Sequence, residues 1–334
     1  MSQPTGSGSL RESNFSIVIR LTDARVTGCC MKKIVGATFA FVIWLLFRGR
    51  PEPLEITANL GDGQRTTVAD GRIFSRSVGD GLDLLLLPGF AGNSQTWEFI
   101  TPDLASNHRV HLVDLLGHGL SDKPAAVRYD GGAQAARLVE WLSVHGIRDA
   151  VVVANSAGCQ AAVQLAADHK QYVRGLVLIN PFLVAGPGIR FLLALVRRFP
   201  MVAGFAVRRI YAQRWFVWMG KMLGRRDPWR VTSADVDRQY LPYGTSGFFD
   251  ALPAMLNGID PSMYSSVVPR VKCPVLLVWG ACDRTARLEE AVKLAREFCH
   301  GEILVLENAG HMAQEEVPDD LVEQIRPFLR STEG

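Results

Sequence analysis

The sequence predicts an α/β protein: a doubly wound, mostly parallel sheet interrupted by one helical insertion. Three observations predict it. Short apolar runs of strand type alternate with segments of helix length, which implies parallel βαβ units. The alternation breaks once, over residues 183–262. The polar residues best suited to chemistry fall where strand-type runs end, and open α/β sheets hold their ligands there.

The strand-type runs are "LLLL" (84–87), "RVHLVDL" (109–115), "AVVVA" (150–154), "GLVLIN" (175–180), "PVLLVWG" (274–280) and "EILVLE" (302–307). Segments such as "GGAQAARLVEWLSVHG" and "RLEEAVKLAREFC" lie between them with helical length and periodicity. Residues 55–182 and 263–330 therefore read as one α/β core, and 183–262 as a helical cap. The 334 residues, 48% hydrophobic, can fill one large domain with an insertion or two smaller domains. A net charge of +3 is too small to argue for nucleic acid. Six cysteines, at 29, 30, 159, 273, 282 and 299, show neither metal spacing nor a disulfide framework. No metal or organic cofactor is implied.

The first fifty residues differ from the rest. Residues 1–30 are polar, lack hydrophobic period and read as a disordered tail. Met31, Lys32 and Lys33 then precede fourteen uncharged, mostly apolar residues, 34–47, and Arg48. A basic stretch before an apolar one reads as a secretion signal or signal anchor, and its ordinary signal start marks residues 1–30 as a candidate upstream extension. "RGRPEP" follows in place of a small-residue cleavage site, so residues 31–50 are expected to remain as an anchor or interfacial helix. Fourteen helical residues reach about 21 Å against a hydrocarbon core of about 30 Å, so flanking lysines and arginines would have to snorkel. The side of the membrane is open.

"VVVANSAGCQAA" (151–162) runs from a buried strand through one serine into a helix. Small residues flank Ser156 at Ala154, Gly158 and Cys159, as a sharp strand-to-helix turn requires. The amides at the helix start would favour negative charge developing there. A serine hydroxyl needs a base held by a third group. "ENAGHMAQEEVP" supplies His311 after the last strand, and "WGACDRTA" supplies Asp283 after the strand before it. Asp250 and Asp260, at the edge of the insertion, are weaker candidates for the acid. "LLLLPGFAGNSQTW" places Phe90 where its N–H, with that of Ala157, could form an oxyanion hole. Trp97 and Asn155 are the candidate substrate contacts. His118 reads as part of a structural loop, with Asp122 capping locally, and the cysteines beside Ser156 and Asp283 read as small hydrophobes.

With "PGFAGNSQTW", "VDLLGHGLSDKP", "ANSAGC", "WGACD" and "AGHMAQEEVP" in order over roughly residues 65–330, the chain resembles the α/β-hydrolases of the widespread fold-1 type. Pro88 stands where that family usually has histidine, and Ala154 where it usually has glycine. The resemblance implies a serine hydrolase of esterase or lipase type. Its substrate would be an apolar ester or thioester cleaved through an acyl-enzyme by Ser156, His311 and Asp283. Serine at the turn argues against haloalkane dehalogenases and epoxide hydrolases, which use aspartate there. "DLLGHGLSDKP" with "NSAG" also resembles phytyl-ester hydrolases. Two alternatives stand beside this: a carbon–carbon bond hydrolase of the meta-cleavage type, whose serine often follows asparagine, and a ligand-binding receptor on the same scaffold. Met312 and Glu315, where the former often has tryptophans, argue against it.

Residues 186–230 of the cap hold ten lysines and arginines against one acid, Asp227, a net +9 that leaves −6 for the remainder of the chain. Aromatic and apolar residues interleave with these arginines, as on helices lying on anionic membranes. Arg197, Arg198, Arg208 and Arg209 are the residues expected to face headgroups. The alternative is an ordinary lid with solvated arginines.

Overall fold

The computed structural model describes residues 63–182, 194, 198, 208–260, 264–285 and 288–332. The expected tail and anchor, residues 1–50, lie outside the described residues, as do Arg197 and most of the insertion before residue 208. Among the described residues no helix is long and apolar enough to cross a membrane.

Among the described residues there are eight strands: β1 (Gln64–Val68), β2 (Gly71–Val78), β3 (Leu82–Leu87), β4 (His108–Asp114), β5 (Ala150–Asn155), β6 (Val173–Ile179), β7 (Val275–Gly280) and β8 (Gly301–Leu306). They form one sheet in the order β1-β2-β4-β3-β5-β6-β7-β8. From β4 to β8 every pairing is parallel. The six apolar runs correspond to β3–β8. The sequence reading missed the antiparallel hairpin of β1 and β2, because β1 is an edge strand and half-exposed, so "QRTTV" and "GRIFSRSV" carry few apolar residues.

The period of two along each strand builds two cores. Leu85, Val152, Leu176 and Leu277 point to one face, against Leu138 and Trp141 of α1 (Gly131–Val144), Val163 of α2 (Gly158–Asp168), and other helices. Leu84, Leu86, Val153, Val177 and Val278 point to the other face, against Trp97, Ile100, Leu321 and Ile325. Full burial of one such leucine contributes about 1.5–3 kcal/mol, so the sheet is the rigid base on which the loops stand.

Among the described residues the insertion places three longer helices between β6 and β7: α3 (Arg214–Gly224), α4 (Ser233–Tyr240) and α5 (Phe248–Gly258). Their own core joins Val217, Val236, Tyr240, Tyr243, Phe248 and Leu252 to Ala91 and Leu116 of the sheet's loops. Thr232 and Asp235 start α4 with reciprocal side-chain to backbone bonds, satisfying amides that a helix start leaves orphaned. Two more helices complete the core layers, α6 (Leu288–Glu297) and α7 (Pro318–Ser331).

The loop containing His118 is structural. Buried Asp114 at the end of β4 accepts the N–H of Ser94 at 2.7 Å and of Leu120 at 2.8 Å, tying this loop to the one after β3. Burial raises the Asp114 carboxyl, while those backbone bonds oppose the rise. Asp122 does not cap locally. It accepts from Arg65 at 3.1 Å and from the backbone and side chain of Arg72 at 3.0 Å, holding the β1–β2 hairpin.

Gly119 has a φ of +47°, and a Cβ there would stand 1.8 Å from Asp114 Oδ2. Gly119→Ala is expected to lower the urea midpoint, the backbone strain alone contributing about 1–2 kcal/mol. An unchanged midpoint would show that the two loops are not locked through Asp114.

Candidate active site

Between β5 and α2 only Ser156 and Ala157 remain, so the chain reverses within two residues. Ser156 adopts a φ of +52°, a left-handed conformation unusual for serine. Its N–H donates to Ile179 O at 3.0 Å, and its carbonyl accepts from Phe182 N at 3.1 Å. The turn is possible because its neighbours are small. A Cβ on Gly158 would sit 2.4 Å from Pro88 O, and one on Gly89 would sit 3.1 Å from Ser156 Cβ.

The three residues that are far apart in sequence meet. His311 Nε2 stands 2.9 Å from Ser156 Oγ, and His311 Nδ1 stands 2.7 Å from Asp283 Oδ2. The Asp283 side chain is fully buried and that of His311 is 15% exposed. Burial pushes the Asp283 carboxyl up, but the hydrogen bond and charge of His311, with bonds from Thr285, outweigh it and hold the group below its ordinary value. Asp283 therefore remains ionised beside the imidazole at neutral pH. Asp250 instead pairs with Arg208 at 3.1 Å, and the His311 imidazole has its carboxylate partner in Asp283.

Phe90 follows β3 in a tight turn, closed by Gly92 N donating to Gly89 O at 3.1 Å. Phe90 and Ala157 line one small cavity beside Ser156. Among the described residues the N–H groups of both donate no hydrogen bond, leaving them available to a developing anion. Ser156 and His311 open onto a larger cavity of about 290 Å³. The insertion walls it with Tyr211, Phe216, Val217, Lys221, Gln239 and Tyr243.

Trp97 does not reach this cavity: it is completely buried among Leu84, Ile100 and Val153 under the sheet. Asn155 is also fully buried, and its amide donates to Ile179 O at 3.1 Å and His311 O at 3.2 Å. It holds the histidine loop, and it also stands in the wall of the cavity that contains Ser156 and His311, its Oδ1 without a hydrogen-bond partner. His118 is buried, edge-on to Phe90, and burial pushes it down to about 4. Cys159 is a buried hydrophobe whose thiol burial pushes well up.

Sequence reasoning missed several positioning residues. Thr285 donates its backbone N–H and its hydroxyl to Asp283 Oδ1, each at 2.7 Å, and its hydroxyl lies 3.0 Å from His311 Nδ1. Asn180 donates to Gly310 O at 2.9 Å and His311 O at 3.0 Å, while accepting from Gly280 N at 2.8 Å. Its signal was present, as a polar residue ending an otherwise apolar strand beside the serine's. From the insertion, Gly224 O accepts the His311 N–H at 2.7 Å.

A buried ion network fastens the same contact. Glu315 Oε2 pairs with Lys221 and Arg225 of the insertion, both at 2.8 Å, and Glu315 Oε1 accepts from Thr96 at 2.7 Å. Arg225 continues to Asp235 at 3.1 Å. This explains Glu315 structurally, and it accounts for two of the cap's cations by internal pairing.

The family model for the alpha/beta hydrolase fold matches residues 84–318. The chain is 28% identical over 282 residues to an uncharacterized protein of Mycobacterium tuberculosis, covering 81% of this chain and 82% of that protein. It is 25% identical over 262 residues to Lipase 1 of Psychrobacter immobilis, covering 74% and 77%. A thermophilic esterase from Thermogutta terrifontis superposes with a TM-score of 0.67 at 21% identity, over 82% of this chain and all of that one, a likeness of fold.

Burial raises the Glu315 carboxyl, but Lys221, Thr96 and Arg225 together hold it below its ordinary value of 4.5. Its stabilisation is thus complete above pH 4.5 and is lost as pH falls through the lower folded value. Glu315→Gln leaves two buried cations facing a neutral amide and is expected to cost about 3–5 kcal/mol at pH 7 in urea unfolding. That difference should narrow in acid below the ordinary carboxylate value. A difference independent of pH would contradict the network's role.

Proposed function

The chain belongs to the alpha/beta hydrolase fold family, and from that premise we propose that it is a serine hydrolase cleaving a carboxylic ester or thioester of an apolar substrate. The observation carrying this reading is the continuous path from Ser156 Oγ through His311 to Asp283, at 2.9 and 2.7 Å, on a strained turn. The lipase among its relatives supports the ester class.

In this mechanism Ser156 Oγ attacks the carbonyl carbon while His311 Nε2 takes its proton. The new oxyanion is held by the N–H groups of Phe90 and Ala157. The imidazolium, facing ionised Asp283, then gives its proton to the departing alcohol or thiol, leaving an acyl group on Ser156. Water, deprotonated by His311, attacks that ester, and the proton returns to Ser156 as the acid leaves. The aromatic and aliphatic wall of the cavity supports an apolar acyl or alkyl group. Asn155, whose place before the serine pointed toward carbon–carbon hydrolysis, also holds the His311 carbonyl at 3.2 Å.

We further infer that the enzyme works at a membrane surface. The basic and apolar composition of residues 31–50 and the cationic cap support this.

A fluorophosphonate probe is expected to label Ser156 alone, and Ser156→Ala and His311→Ala to lose labelling while remaining folded by circular dichroism. Labelling of Ser156→Ala at another residue would overturn the assignment, and a labelled protein that turns over no short ester would favour the receptor.

Asp283→Asn is expected to lower kcat on a short soluble ester by on the order of 10⁴, because the imidazole loses its orienting charge. Asp250→Asn should be near wild type. The reverse pattern would displace Asp283 from this role.

A further inference from the structure

We propose that the outward side of α3, with the turn after it, docks the wall of the active-site cavity onto an anionic phospholipid surface. The inference deepens the membrane reading above by naming the surface. It starts from a helix whose polarity is inverted. In "RWFVWMGKMLG" the lysine faces inward, with the Lys221 side chain only 6% exposed against Glu315, and Arg225 just beyond the helix is buried in the same network. Trp218 and Leu223 stand outward at 45% and 55% exposure. At 3.6 residues per turn Met219 and Met222 share that side, and the one charge at its edge, Arg214, four residues before Trp218, is paired with Asp237. A helix facing water ordinarily presents the opposite arrangement.

The patch continues past the helix. Trp229 is 80% exposed, beside exposed Arg226 and Arg230. Among the described residues neither guanidinium has a carboxylate partner; that of Arg226 bonds the Asn308 side chain at 2.8 Å, while the Arg226 backbone N–H donates to Glu316 Oε2 at 2.8 Å. Exposed indoles fit the headgroup level of a bilayer, and unpaired arginines fit anionic headgroups. A second copy fits less well, since a two-fold contact sets the same patch on both sides and would bring cationic Arg226 and Arg230 near their own counterparts. Arg208, expected from sequence to face lipid, is paired with Asp250, so the lipid-facing charge moves to the turn. The inner side of α3 supplies Phe216, Val217, Gly220 and Lys221 to the cavity that holds Ser156. An ester dissolved in the bilayer would thus lie one helix away from the nucleophile.

The test uses the full chain with vesicles of phosphatidylglycerol or phosphatidylcholine carrying a long-chain nitrophenyl ester, and nitrophenyl acetate in solution. Trp218→Ser, Leu223→Ser and Trp229→Ser combined should leave acetate turnover within about twofold and lower the vesicle rate at least about tenfold. Arg226→Glu with Arg230→Glu should lower the rate on phosphatidylglycerol and spare it on phosphatidylcholine. Brominated lipid should quench tryptophan fluorescence of a Trp44→Phe chain, which lacks the indole of residues 31–50, and adding Trp218→Phe with Trp229→Phe, which keeps the apolar face, should remove most of that quenching. This readout stands even where the triple variant folds poorly. Unchanged quenching in the double phenylalanine variant overturns the proposal, as does a dimer in sedimentation that the triple variant dissolves while vesicle hydrolysis persists. Absence of acetate turnover in the wild type would instead sink the hydrolase reading, while the quenching still decides docking.

Discussion

The backbone of His311 is gripped from both sides, and the reacting geometry depends on that grip. Its carbonyl accepts the amides of Asn155 and Asn180, which stand at the ends of two adjacent sheet strands. Its N–H donates to Gly224 of the insertion at 2.7 Å. A histidine on a long loop would otherwise sample many positions. Here its height above the sheet is set by the strands that also carry the serine, so Nε2 and Oγ stay within hydrogen-bond reach. A displacement of about 1 Å at such a contact can cost on the order of 10²-fold in rate.

The second half of the grip makes the insertion part of the scaffold that places His311 as well as a wall of the cavity. Gly224 ends α3, whose charged side is fixed by Glu315, only four residues past His311. The short stretch from His311 to Glu315 therefore holds both the histidine that faces Ser156 and the anion that secures the cap. The same helix lines the cavity inside and carries exposed Trp218 and Leu223 outside. Anything that moves α3 is transmitted to the cavity wall and to the histidine loop together.

Much of this was legible in the chain. Six parallel strands announced themselves because strands covered on both faces are apolar throughout, and the serine, histidine and aspartate were found because each follows one of them. The β1–β2 hairpin was not legible: an edge pair with one solvated face carries too few apolar residues. Sequence gives adjacency to a motif and not the direction of a side chain, so Trp97 reads as a substrate contact and the tie from Asn155 to the histidine loop does not show. Asn155 turns toward the His311 carbonyl, and Trp97 turns into the core. The cationic cap reads in sequence as one exposed charge patch, since composition cannot separate Lys221 and Arg225, neutralised internally, from Arg226 and Arg230, whose guanidinium groups have no carboxylate partner among the described residues.

The central claim is that Ser156 becomes covalently acylated. Rapid mixing with a nitrophenyl ester of a medium-chain acid, followed by acid quench and mass spectrometry of the intact and digested protein, tests it most directly. The account predicts a burst of nitrophenol close to one per enzyme and an acyl adduct confined to the peptide that contains Ser156. Turnover with no burst and no adduct under several acyl chains, or an adduct on another residue, would contradict it.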